Sequence, residues 1–357
     1  MASPDPSLRL RARGSATAPA GRFERLVAEP EADGWEAPEA RLLRTELRDE
    51  APRAALAWNR SPDLPFDRSL NPYRGCEHGC AYCYARPTHA WLGLSPGLDF
   101  ETRLVARPGL GAALAREFRA RGYAPAPIAI GTATDPYQPA EARARIMPEV
   151  LRVLGDFGHP ASITTRGTLI ARDLDLVAGL ARRGLMRVGV SITTLHPDLS
   201  RAMEPRAPAP ARRLETVAAL AAAGVPVRVM VAPVIPGLTD PEIERILAAA
   251  RAAGAVAATL IPLRLPGEVA GLFRDWLART LPERAEKVMA RVREMNGGRD
   301  HDPRFGRRMR GAGVWADLLR RRFDLALARE GLVERLPPLR CDLFRVPEAP
   351  GTQLRLF

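Results

Sequence analysis

The chain has 357 residues, 46% apolar and 26% charged, enough for one large domain or two and ordinary for a globular protein. No stretch is apolar long enough to cross a bilayer: the best candidate, Thr216 to Leu238, is interrupted by Gly224, Pro226, Arg228 and Pro236, and the N-terminal MASPDPSLRLRARG lacks the apolar core of a secretory signal, so a cytoplasmic protein with no membrane partner is expected. The formal net charge is +12 and Lys287 is the only lysine; a biased genome explains arginine over lysine but not the excess of bases over acids, so a nucleic-acid partner is one reading the charge supports.

Residues 1–63 are rich in Pro, Ala, Gly and charge without an apolar period, and are expected to be largely irregular or loosely wrapped on the surface. A strand is predicted near Ser69. A unit then recurs: a helical stretch, a glycine, and a short apolar run. The glycines are Gly122, Gly158, Gly184, Gly224 and Gly254, each placed where a helix C-cap takes positive φ. The runs PAPIAIGTATD, ASITTR, LMRVGVSITT, VPVRVMVAPVI and AVAATLIPLRL are apolar almost throughout, as strands covered on both faces must be. With the strand near Ser69 these make six βα units, hence right-handed crossovers, a parallel sheet and a partial, open barrel over residues 64–265. Function is expected at the C-terminal ends of its strands. Beyond Pro266 the strand signal ends, and three amphipathic helices are predicted within residues 266–340. Residues 341–357 read as a flexible tail.

Three of the four cysteines fall in NPYRGCEHGCAYCYA, Asn71 to Ala85, with spacing C-x3-C-x2-C. Such clustering argues against a disulfide framework and for a ligand set in a reducing compartment. Gly75 and Gly79 permit the tight fold that brings Cys76, Cys80 and Cys83 together. Ferredoxin-type clusters use one cysteine per iron, so three leave one iron for a substrate or cofactor. A structural zinc site, with His78 or Cys341 as fourth ligand, is the alternative; otherwise His78 reads as an exposed loop residue and Cys341 as a lone structural thiol.

The cysteine loop resembles that of the radical S-adenosylmethionine superfamily, C-x3-C-x-Φ-C, with Tyr82 as the aromatic residue. The resemblance implies an α/β chain built on a partial (β/α)6 radical-SAM barrel with a C-terminal helical extension. It implies a [4Fe–4S] cluster on Cys76, Cys80 and Cys83, whose fourth iron binds the methionine moiety of S-adenosylmethionine. It also implies reductive cleavage to a 5′-deoxyadenosyl radical, and a flavodoxin or ferredoxin-type reductant. On the consecutive strand ends it points to Tyr82 near the adenine, Thr132 and Thr134 where the family often has Gly-Gly-Glu, and Arg166 for the methionine carboxylate. Ser191 and Thr193 would take ribose hydroxyls or the carboxylate, and Val234 and Ile235 would flank the base. NPYRGC, T-D-P-Y-Q-P-x-E (Thr134 to Glu141) and V-x-P-x-I-P-G-L-x-D (Val231 to Asp240) resemble the spore photoproduct lyase-like branch. M-x-G-G-R-D (Met295 to Asp300) and R-F-G-x-R-M-x-G (Arg304 to Gly311) resemble its uncharacterised bacterial relatives. The lyase returns a hydrogen atom through a cysteine beyond the cluster loop; here none lies between Cys83 and Cys341, so that repair reaction is not expected, and Tyr123 or Tyr137 would serve as relay.

The expected function is a radical enzyme acting on nucleic acid in repair or modification. A radical enzyme acting on a protein or small molecule, or a non-catalytic metal-binding nucleic-acid module, is the alternative. The last residues, Gln353-Leu354-Arg355-Leu356-Phe357, resemble the Gln-Leu-Ser/Asp-Leu-Phe peptide that docks bacterial polymerases and repair proteins on the sliding clamp.

Overall fold

The computed structural model of the chain describes residues 8–9, 12–23 and 41–348. Its central sheet holds β1 (Arg68–Leu70), β2 (Ile128–Ile130), β3 (Ala161–Thr165), β4 (Met186–Ser191), β5 (Val227–Val234) and β6 (Ala257–Pro262). These lie side by side in chain order, every pair parallel. The sheet ends rather than closing: Ala57–Trp58 adds antiparallel to β1 at one edge, and Val333 bridges Ala257 at the other. Pro233 has no N–H to donate, and the ladder between β5 and β6 shifts register across Val231 and Val234.

The crossovers are α1 (Leu110–Phe118), α2 (Ile146–Phe157), α3 (Leu174–Arg182), α4 (Pro210–Ala222) and α5 (Ile243–Ala252). The five glycines that close the repeated units all take positive φ, from +62° at Gly158 to +94° at Gly254. Each helix buries one stripe, such as Val217 and Leu220 of α4, against the buried Val188, Val190, Val229 and Val231 of the sheet. The C-terminal helices are α6 (Val269–Thr280), α7 (Pro282–Met295) and α8 (Val314–Glu330). Arg322 of α8 binds Glu244 of α5 at 2.6 Å. Among the described residues no helix is long and apolar enough to cross a membrane.

Two terminal stretches are more ordered than their composition implies. Glu46–Asp49 pairs with Arg103–Ala106, which pairs with Tyr73–Arg74, a small sheet against which the cysteine loop is built. Residues 12–23 cross the back of that loop: the Leu98 N–H donates to Thr17 O at 3.1 Å, and Ser95 Oγ donates to Pro19 O at 2.7 Å. At the other end the described tail is docked, not loose: Phe344 packs among Phe118, Tyr123, Phe157 and His159, and the Arg345 N–H bonds Phe157 O at 2.9 Å. Composition hides such contacts because they depend on backbone bonds and a single aromatic anchor, not on a period.

Candidate active site

The cysteine loop follows the C-terminal end of β1. The Cys76 N–H bonds Phe100 O at 2.8 Å. Gly75 (φ +77°) and Gly79 (φ +67°) hold a left-handed backbone that favours glycine, and a Cβ on Gly75 would also meet the Phe100 carbonyl oxygen at 2.9 Å. Arg86, fully buried, donates from Nε and Nη2 to Cys80 O at 3.0 and 2.9 Å and pairs with buried Glu101 at 2.5 Å. Glu101 also accepts from the Gly14 and Ser15 N–H groups at 2.9 and 2.8 Å, tying residues 12–23 to the loop. A Cβ on Gly14 would lie 1.7 Å from Gly79 O.

The strand ends hold the other face. Asp135 accepts from the Tyr137 N–H (2.9 Å), Thr165 Oγ1 (2.6 Å) and the Arg166 N–H (2.8 Å), and faces His78 Nδ1 at 3.4 Å. Burial pushes this carboxyl up, but His78 and these donors outweigh it and hold it at about 2. His78 is thus a buried partner of Asp135 and not an exposed loop residue. Gln138, fully buried, accepts the Glu77 N–H at 2.8 Å and donates to Gly75 O at 3.2 Å, clamping both sides of Cys76.

Arg166, just past β3, is the junction. Its Nη1 lies 3.0 Å from Cys80 Sγ, 2.8 Å from the Tyr82 hydroxyl and 2.9 Å from Glu204 Oε1. Fully buried Glu204 also accepts from Thr193 Oγ1 at 2.8 Å, from the Tyr82 hydroxyl and from Arg213. Burial raises this carboxyl too, but Arg213 and Arg166 prevail and bring it to about 2. Glu204 therefore stays ionised between two guanidiniums, and among the described residues Arg166 Nε and Nη2 have no protein partner.

The expected residues divide. Tyr82, Arg166 and Thr193 meet at Glu204, and Ser191, buried at the end of β4, has its carbonyl bonded by Arg213 at 3.2 Å. Ile235 shares an apolar cluster with Cys80 and Tyr82, while Val234 belongs to the main core. Thr132 and Thr134 are engaged with the loop: Thr132 Oγ1 accepts from Asn71 at 3.3 Å, and Thr134 Oγ1 donates to Tyr73 O at 3.0 Å. Of the two relay tyrosines Tyr123 lies elsewhere, and Tyr137, whose N–H bonds Asp135, turns its ring into the main core. Tyr123 precedes β2 at the opposite end of the barrel, 2.8 Å from His159 Nε2 and 3.2 Å from Arg68. Tyr137 is buried in the main core, its pKa raised first by burial and then by Asp173 and Glu141, the groups its hydroxyl faces. Cys341 is also remote, in the segment where the Arg340 N–H bonds Gly184 O at 3.0 Å ahead of β4.

Sequence reasoning missed Arg86, Glu101, Asp135, Gln138, Glu204 and Arg213 as working groups. Arg213 had a signal: with Val217 and Leu220 it occupies the i, i+4, i+7 stripe of α4, where an arginine demands a buried partner. Glu204 had none, standing in an irregular stretch after the short helix Pro197–Met203.

The donor set suits a cluster. Burial pushes the Cys76 and Cys80 thiols up, Cys80 to about 12 against the pull of Arg166, so they need iron cations to act as thiolates. The thiols lie near enough to raise one another's pKa. Among the described residues no group of three or more His, Cys, Asp or Glu closes on one point as a single ion requires. A four-iron cluster binds each thiolate at a different iron.

A profile of the Radical SAM superfamily matches residues 70–250. An uncharacterised protein of Mycobacterium tuberculosis is 43% identical over 244 residues, covering 67% of this chain and 71% of that one. An uncharacterised protein of Methanocaldococcus jannaschii is 27% identical over 173 residues, 48% of this chain and 62% of that one. Among solved structures, spore photoproduct lyase complexed with dinucleoside spore photoproduct aligns with TM-score 0.58 at 15% identity, covering 81% of each chain, a likeness of fold. The chain belongs to the Radical SAM superfamily and is an enzyme of that class. Its family works with a [4Fe–4S] cluster and S-adenosylmethionine.

Proposed function

We propose that Cys76, Cys80 and Cys83 hold a [4Fe–4S] cluster and that the chain uses S-adenosylmethionine on it to act on nucleic acid. When bound, the cluster supplies the electron that splits the sulfonium C–S bond, giving the 5′-deoxyadenosyl radical that abstracts hydrogen from substrate. The observation that carries the reading is Arg166, pinned through Nη1 at 3.0 Å from Cys80 Sγ with Nε and Nη2 left for a carboxylate. Glu204 and Arg213 hold that guanidinium in place, Ser191 offers a hydroxyl, and Tyr82 with Ile235 forms an apolar wall fit for adenine. Hydrogen bonds with Arg86, Gln138 and the Phe100 carbonyl brace the ligand loop around Cys76 and Cys80.

The nucleic-acid target is supported by the +12 charge and by the dinucleoside bound in spore photoproduct lyase. A flavodoxin or ferredoxin-type donor is the implied reductant. The Gln353–Phe357 peptide lies outside the described residues. Calorimetry of the bacterial sliding clamp with and without those five residues tests that partner; equal or absent binding by both removes it.

Anaerobic reconstitution tests the main reading. The full chain is expected to take up iron and form 5′-deoxyadenosine with dithionite. Cys76→Ala, Cys80→Ala or Cys83→Ala should abolish both, and Cys341→Ala should change neither. Arg166→Ala should keep iron and weaken S-adenosylmethionine binding roughly ten- to a hundredfold. Iron retained in Cys83→Ala and lost in Cys341→Ala would reject the ligand set. Product analysis with damaged DNA, RNA and cell extract reads the substrate.

A further inference from the structure

The R-F-G-x-R-M-x-G segment is set beside the cysteine loop by a chain of contacts. Tyr84, next to Cys83, is 49% exposed, and its hydroxyl donates to Thr132 O at the end of β2. Arg264, two residues past β6, holds its guanidinium 5.3 Å over the Tyr84 ring and its Nη1 3.0 Å from Met309 Sδ. The segment is fixed, not draped: the Gly306 N–H and Arg308 Nε each bond Asp63 at 2.7 Å, and the Asp302 N–H bonds Asn296 Oδ1 at 3.1 Å. Thus anchored, it holds Phe305 outward, 61% exposed, with the Arg308 guanidinium 4.6 Å over the ring.

The charges here are unbalanced in one direction. Asp63 is taken by Arg308, Asp302 by Arg304, and Asp300 by Arg293 and Arg274. Arg299 and Arg307 remain exposed and, among the described residues, without a carboxylate partner. Arg264 is half-buried with no hydrogen bond to its Nε, and burial followed by the nearby Arg308 lowers its pKa. Unpaired guanidiniums beside two exposed aromatic side chains, each with an arginine over its ring, match what a single strand presents, phosphates and unstacked bases. A duplex keeps its bases stacked away from such rings, and a protein partner would call for a contiguous apolar patch, whereas Phe305 stands alone among charges.

We infer that Tyr84, Arg264, Phe305 and Arg307 form a binding surface for single-stranded nucleic acid at the mouth of the cluster site. The inference rests on the proposed action on nucleic acid and names where the strand lies and in what form. Phe305 supplies a stacking face, Arg307 and Arg264 meet phosphates, and Tyr84 marks the path toward the cysteines.

The test is fluorescence anisotropy of a labelled oligothymidylate and of a matched duplex with the reconstituted full chain, across a salt series. Phe305→Ala should weaken single-strand binding roughly fivefold to a hundredfold, and Phe305→Trp should keep it. Arg307→Ala should reduce the slope of log affinity against log salt by about 0.7. Arg182→Ala, an equal loss of charge on exposed α3 ahead of β4, should leave the slope unchanged. These positions are exposed, so all four variants should unfold at the wild-type temperature. Equal slopes for Arg307→Ala and Arg182→Ala, or a duplex bound as tightly as the single strand, overturn the surface. A wild-type chain that forms 5′-deoxyadenosine but binds no oligonucleotide overturns it too and leaves the radical chemistry standing. Binding that depends on Phe305 and Arg307 in a chain that never cleaves the cofactor supports the surface and defeats the radical reading.

Discussion

The two ends of the barrel are built on opposite principles. At the C-terminal end Arg166, Glu204 and Arg213 form a buried charged triad with Tyr82 and Thr193, and Asp135 sits buried against His78. At the N-terminal end Phe118, Tyr123, Phe157, His159 and Phe344 make an aromatic plug, with Phe118 stacked on His159 at 4.3 Å. Buried charge is costly and retained only where geometry satisfies it, so the first end is organised for a ligand. Aromatic packing is cheap stability, and the second end closes the barrel. Substitutions of similar energetic cost should therefore have unlike functional consequences.

The largest effects make that contrast directly. Glu204→Ala leaves Arg166 and Arg213 buried without their common carboxylate, and should cost about 3–5 kcal/mol in unfolding free energy. It should also release Arg166 and weaken S-adenosylmethionine binding. Phe118→Ala removes a fully buried ring and should cost a similar 3–5 kcal/mol or so. Its iron content and cofactor affinity should stay at wild-type values at a temperature where it remains folded. Denaturant titration paired with cofactor titration reads both; a Phe118→Ala chain that loses cofactor affinity while folded would erase the distinction between the ends.

How much of this was legible follows the same division. Strand order and glycine caps depend on local period and spacing, and the structure has them where the sequence placed them. Arg166 stood out because it closes an apolar strand, where the family resemblance puts a carboxylate partner, and the structure sets it beside Cys80 and Tyr82. Glu204 was not, because its meaning comes only from Arg166, Arg213, Tyr82 and Thr193 converging on it from three other segments. Tyr123 was misread in the other direction. It stands five residues before β2, at a strand start, and the rule that places function at strand ends already argued against it. Phe344 was hidden in a segment broken by prolines, where one docked ring leaves no pattern.

Acid should separate the ends by pH. Burial lowers the pKa of His159 from 6.5 to about 4, so the folded chain holds it neutral while the unfolded chain protonates it. Its contribution is complete above pH 6.5 and is lost as pH falls toward 4. Glu204 and Asp135 are depressed to about 2, so their contribution is intact above the unfolded values of 4.5 and 3.8 and is lost only as pH falls from those values toward 2. His159→Gln should flatten the stability profile between pH 6.5 and 4. His89, also lowered to about 4 by burial, and His301, lowered by burial, should supply the slope that remains, joined below pH 4.5 by Glu204. An unchanged profile in His159→Gln would mean that the plug does not sense acid.

The smallest effect belongs to Tyr123 and bears most sharply on which end does chemistry. His159 Nδ1 lies 3.0 Å from Pro160 O, an acceptor only, so Nδ1 carries the proton and Nε2 is left to accept. The Tyr123 hydroxyl then donates to Nε2 at 2.8 Å while its oxygen accepts from Arg68 at 3.2 Å, a short chain that crosses the plug. Tyr123→Phe keeps the ring against Phe118 and Phe344 and deletes only the hydroxyl, so the loss should be about 0.5–1.5 kcal/mol. If chemistry is confined to the other end, 5′-deoxyadenosine formation and substrate turnover should both stay at wild-type rates. A Tyr123→Phe chain that cleaves the cofactor normally but no longer returns hydrogen to substrate would restore the tyrosine as a relay. It would also require electron transfer across the whole length of the barrel, through a core in which Ile128, Ile163 and Val188 are fully buried.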